Sequence, residues 1–136
     1  MVYEYTNDVA KALQEEGDLV SCFLCTGHLR VSFSPFKKYL QQTDFYRELK
    51  EPKPSAPYIY QTKKVLVFMY KQRVFKRISL LETFDLFGLL VNKCRELGIK
   101  KLLLPINTFL IEGIAMKELL IILKMVDTEG VDIYYF

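Results

Sequence analysis

One stretch, Gly98-Ile-Lys-Lys-Leu-Leu-Leu-Pro-Ile-Asn-Thr-Phe-Leu-Ile-Glu-Gly113, constrains the fold more than any other part of the chain. The leucines at 102–104 form a short apolar run with two lysines before it and Pro105 after it. A central strand buried on both faces has this pattern, because neither side meets water and a proline ends the hydrogen-bonded ladder. Gly98 stops a helix just before the strand, and another helical pattern begins just after it. In an open α/β sheet, ligands sit beyond the carboxyl ends of such strands, so residues 106–112 are the first place to look for chemistry. That loop has no glycine, histidine or lysine.

A chain of 136 residues forms about one domain and buries roughly two thirds of the surface its unfolded form exposes. Ten phenylalanines and nine tyrosines supply material for a core. The 19 basic and 16 acidic residues nearly cancel, so charge alone does not imply a nucleic-acid partner. Cys22 and Cys25 form a C-x-x-C, but inside an apolar run at 19–25 where a strand points them to opposite faces. Buried free thiols in a reducing compartment are expected, with no metal and no cofactor. The opening residues lack the pattern of a signal peptide, and the longest apolar run, 119–123, is far too short to span a bilayer. The expectation is a soluble intracellular domain, cytoplasmic or nuclear, with no membrane partner.

Residues 2–6 alternate and are aromatic, which predicts an opening strand. Asn7 and Asp8 are natural N-caps for a helical pattern over 9–16, closed by Gly17. The apolar run at 19–25 predicts an interior strand, and Thr26-Gly27-His28 a turn. His28, the single histidine, reads as a solvated turn residue. Ser34-Pro35 starts a further helix, and the three prolines of 51–57 require an extended loop. Residues 58–62 and 65–70 read as a hairpin turning at Lys63-Lys64. Ser79 and Glu82 form a capping box, after which Leu80, Phe84, Phe87, Val91 and Cys94 define one helical face ending at Gly98. A helix over about 113–126, apolar almost all round and so expected to be largely buried, precedes a last strand over 131–136. Helix-strand-helix-strand at the close argues for parallel neighbours, and the hairpin adds antiparallel pairing. The reading is one α/β domain over 1–136, with a mixed central sheet and helices on both faces. Nothing decides whether 131–136 is an edge strand or an interior one.

With these elements placed, the chain resembles a macro domain, and within that family the branch that removes ADP-ribose from acidic side chains. Tyr5-Thr-Asn-Asp-Val9 stands where the family has a strand ending in Gly-Asp-Ile/Leu, with Asp8 keeping the acid. Leu19-Val-Ser-Cys22 and Phe36-Lys-Lys38 match the strand and helix around the first substrate loop. Met69-Tyr-Lys-Gln-Arg73 is similar to the strand end that carries a catalytic lysine, and Leu104-Pro-Ile-Asn-Thr-Phe-Leu-Ile-Glu112 stands where the family has Pro-x-x-Gly-x-Gly-x-Asp. The resemblance implies a three-layer α/β/α macro-domain-like fold. It implies Lys71 and Glu112 as the catalytic pair of an active member, and Asp8, Asn107 and Thr108 as ligand contacts.

The departures bear directly on function. The family cradles a diphosphate on two glycine-rich loops, because backbone N–H groups reach phosphate oxygens only where no Cβ intervenes. Here the first loop has only Gly27 and the second has no glycine, and Phe109 and Leu110 would put large apolar side chains where the pyrophosphate should lie. The expected function is a degenerate macro domain, a pseudoenzyme acting through protein interaction. A working ADP-ribosyl-carboxylate hydrolase or ADP-ribose binder is the first alternative, with ADP-ribosylated protein as its partner. The second is nucleic-acid binding through Lys63, Lys64, Lys71, Arg73, Lys76 and Arg77, interleaved with Tyr70 and Phe75. Simpler roles stand beside these: a solvated lysine at 71, a helix-start acid at 112, and an N-cap at Asp8.

Overall fold

The computed structural model describes residues 1–14, 17–26, 38, 58–61, 65–71, 77–106, 109 and 113–136; at 25, 26, 58–61 and 71 it describes the backbone only. In chain order these residues form β1 (Val2–Glu4), α1 (Val9–Ala12), β2 (Leu19–Thr26), β3 (Tyr58–Gln61) and β4 (Val65–Lys71). α2 (Leu80–Glu96), β5 (Lys101–Leu104), α3 (Met116–Met125) and β6 (Asp132–Tyr135) follow. The strands make one six-stranded sheet in the order β1-β6-β5-β2-β4-β3. Every neighbouring pair is parallel except the β3–β4 hairpin, where Tyr58 faces Met69 and Gln61 faces Leu66. The mixed sheet expected from the sequence is present. β6 is interior, paired with β5 on one side and β1 on the other.

Alternation along the strands divides the interior into two cores. Val20, Cys22 and Leu24 of β2, Leu66, Phe68 and Tyr70 of β4, and Leu102 and Leu104 of β5 face α2 and α3. Phe23, Val65, Val67, Met69 and Leu103 point the other way, toward Ala12 and Leu13 at α1. β2, β4 and β5 are apolar on both faces because both faces are covered. Full burial of each such Leu or Phe contributes about 1.5–3 kcal/mol.

The helix positions follow from the strand order. The chain crosses the sheet in one direction from β1 to β2, and α1 lies on one face. It crosses in the opposite direction from β4 to β5 and from β5 to β6, and α2 and α3 lie on the other face. A shared crossover hand requires this reversal of faces.

α2 forms as its sequence dictates. Ser79 Oγ accepts from the Glu82 N–H at 3.1 Å, and Glu82 Oε1 accepts from the Ser79 N–H at 3.2 Å. Gly98 follows the helix at φ +73°, the left-handed turn that glycine adopts without a Cβ clash. Phe87, Leu90, Val91 and Cys94 are buried on its inner face. Burial pushes the Cys94 thiol up to about 12, with Arg95 pulling weakly the other way, so it stays protonated at neutral pH.

Two expectations are corrected. α3 is not buried all round: Leu119, Ile122 and Leu123 are buried, while Ile121 and Met125 are exposed. It rests against the sheet and α2 on one side, and its outer side faces water. α1 covers Val9–Ala12 rather than the whole of 9–16, with Leu13 already in the turn that follows. The His28 turn, the helix after Ser34 and the proline loop lie outside the described residues, as does the Lys63-Lys64 turn.

Candidate functional site at the carboxyl edge of the sheet

Parallel pairing brings the carboxyl ends of β1, β6, β5, β2 and β4 to one edge of the sheet. β2 stands between β5 and β4 there, so the loop after β5 and the end of β4 flank the end of β2. Lys71 is the last residue of β4, and its backbone pairs with Thr26 across a register shift after Cys25. Such an irregularity twists the strand end and ends regular pairing. It falls beside the position expected to carry a reactive lysine.

The β5 loop begins with Pro105 and Ile106, both buried. Phe109 follows at zero exposure. Its ring lies 5.3 Å from that of Tyr70, tilted by 48°, and 5.2 Å from that of Phe87, edge-on at 89°. Edge-to-face pairs of this kind contribute about 0.5–1.5 kcal/mol beyond their buried area. Phe109 is therefore seated in the core between the end of β4 and α2. Ile106, three residues earlier, is buried in the same core. The sequence offered one sign of this: apolar residues three apart fall on one side of a tight helical turn.

Beyond the loop, Gly113 adopts φ +81° and carries the Arg77 guanidinium above it. A Cβ at position 113 would stand 3.2 Å from Arg77 Nη1. Any other residue there would be strained in its backbone and would push Arg77 aside. This places a basic side chain at the same edge as Lys71, a position sequence reading grouped only with the basic run at 63–77. Ile114 is buried, and α3 then starts at Ala115, which gives it no side-chain cap.

Asp8 follows β1 at the carboxyl edge. Its Oδ1 accepts from the Ala10 N–H at 2.9 Å, so it caps α1 while remaining exposed. Four inter-strand steps separate β1 from β4, or roughly 19 Å at the usual strand spacing. Only an elongated ligand lying along the edge could touch both Asp8 and Lys71. Asn107, Thr108 and Glu112 lie outside the described residues, as do Leu110 and Ile111. Among the described residues, no group of three or more His, Cys, Asp or Glu side chains is placed to hold a metal ion. No helix is long and apolar enough to cross a membrane, again among the described residues.

A surface groove lies at the opposite, amino edge of the sheet. It encloses about 590 Å³ and is lined by Asp18, Lys100, Lys101 and residues 126–132. Its charges are of both signs, and Lys101 Nζ lies 3.7 Å from Asp18 Oδ1. Asp8 is not among the described residues that line it.

No family model and no curated protein matches the sequence. Among solved structures, the chain is similar to the macrodomain of Thermus aquaticus DarG, at 11% sequence identity and a TM-score of 0.59. The match covers 100% of this chain and 97% of that one. The chain has a macrodomain-like α/β fold.

Proposed function

We propose that this domain is a macrodomain-like module that acts by binding protein rather than by ADP-ribose chemistry. The observation carrying this reading is Phe109. It lies between positions 108 and 110, where the family pattern has its two glycines and this chain has Thr and Leu, and its ring is wholly buried against Tyr70 and Phe87. A loop held by a buried phenylalanine cannot move toward a ligand without exposing that ring. The lack of any glycine between Pro105 and Glu112 supports the same reading, since a phosphate cradle needs backbone N–H groups free of Cβ atoms.

A second reading, an ADP-ribosyl-carboxylate hydrolase, is favoured by one observation. Lys71 ends β4 next to the β2 carboxyl end, at the edge where the topology expects chemistry. In that reaction the neutral Lys71 amine attacks the ribose anomeric carbon, and the C–O bond to the modified carboxylate breaks. Glu112 takes the proton from the attacking amine, and water then displaces the lysine to free ADP-ribose.

Calorimetric titration with ADP-ribose, with Lys71→Ala beside the wild-type chain, separates the two. The interaction-module reading expects no heat up to millimolar ligand and no release of ADP-ribose from modified protein. Micromolar binding, with turnover lost in Lys71→Ala, would establish the hydrolase instead.

A further inference from the structure

β1 is an edge strand, and its hydrogen-bonding parity is known. Ile133 donates to the Met1 carbonyl and Tyr5 donates to that of Tyr135, both at 2.8 Å. Residues 1, 3 and 5 thus turn their backbone groups toward β6. In a strand the alternate residues must face the other way, so the N–H and C=O of Val2 and Glu4 point outward. Among the described residues, none donates to or accepts from them. The edge also carries apolar surface. Tyr3 is 38% exposed and Met1 is 68% exposed. The Tyr3 ring stacks on Tyr134 at 5.3 Å, and Tyr5 meets Tyr134 edge-on at 6.3 Å. A row of three aromatic rings therefore ends at a ladder edge that no described residue pairs with.

We propose that β1 pairs antiparallel with β1 of a second copy of this chain, about a two-fold axis at Tyr3. The parity above fixes the register. Val2 of each copy faces Glu4 of the other and exchanges both backbone bonds with it, so four hydrogen bonds form. Tyr3 faces its counterpart in a pair without backbone bonds, the arrangement that brings side chains closest. The ring row then runs unbroken from one copy into the other, and Met1 falls beside the second Tyr5, where a thioether packs well on a ring. The two Glu4 carboxylates lie diagonally rather than opposite each other, each facing a valine. A second copy suits this edge because the register is self-complementary in both hydrogen bonds and side chains. The contact is small beside standard interfaces, which bury about 1,200–2,000 Å², so the dimer is weak and depends on concentration.

Sedimentation velocity from micromolar to millimolar protein tests for the dimer, and cysteine cross-linking tests its register. With copper-phenanthroline as oxidant, Tyr3→Cys should form a disulfide-linked dimer much faster than the wild-type chain. Val2→Cys and Glu4→Cys should cross-link when mixed, but neither should do so alone. Glu4→Pro removes an outward N–H without touching the β6 ladder and should abolish association, with the circular dichroism spectrum unchanged. A wild-type chain that stays monomeric at every concentration overturns the proposal. So does a dimer that survives Glu4→Pro, or a Val2→Cys variant that cross-links alone as fast as Tyr3→Cys.

Discussion

The loop after β5 and the loop before β6 lie at opposite edges of one sheet and are held by opposite means. The first turns Phe109 and Ile106 into the core, so its anchor is apolar burial. The second is held by one arginine reaching across from α2. Arg95 Nε donates to the Glu129 carbonyl and Nη2 to the Asp127 carbonyl, each at 2.8 Å. Nη1 donates to Asn92 Oδ1 at 2.6 Å, which holds the guanidinium in place. Val131 closes the loop by donating to Thr128 at 2.9 Å, with Gly130 at φ +81°. The wide groove lies beside the polar anchor, and the expected chemistry lies beside the apolar one. The groove and the site position are thus set by different things. Strand direction places a site, whereas a groove appears wherever a loop stands off the sheet.

The largest effect should come from the apolar anchor. Phe109→Ala leaves a cavity between Tyr70 and Phe87 and should cost about 3–5 kcal/mol, read as a lowered thermal midpoint. If it also creates measurable ADP-ribose affinity, the ring's hold on the loop was what closed the site. Arg95→Ala should cost less, about 1–2 kcal/mol for partly solvated hydrogen bonds. Amide hydrogen exchange should rise at residues 127–131 and stay unchanged around Phe109. An Arg95→Ala loss as large as that of Phe109→Ala would break the contrast between the two loops. The smallest effect should be a gain. Ala115→Ser gives α3 the side-chain cap that α2 already has and should add about 0.5–1 kcal/mol in a denaturant titration.

The fold was legible where local chemistry and burial agree. Ser79, Glu82 and Gly98 mark both ends of α2, and the double-sided apolar runs at 65–70 and 102–104 mark interior strands. α3 was misjudged because a helix rich in Leu and Ile reads as buried whatever covers it. Ile121 and Met125 face outward because, among the described residues, no element packs over them, which no local pattern records. At the candidate site, the capping role of Asp8 was legible, since that bond spans only two residues. The inward turn of Phe109 was not, because it depends on Tyr70 and Phe87, which are distant in sequence. The same holds for Arg77 above Gly113.

Pairing of β1 with β6 joins Val2 to Ile133. On the ribosome, β1 emerges before β6 and must wait for it, roughly ten seconds at ordinary elongation rates. Until then, β2, β4 and β5 can already join, while β1 has nothing to pair with and both of its edges stand open. Completion of the sheet is thus a late, long-range event with a high loop-closure cost. A nascent chain is most exposed to wrong strand partners in the interval before residue 132 emerges.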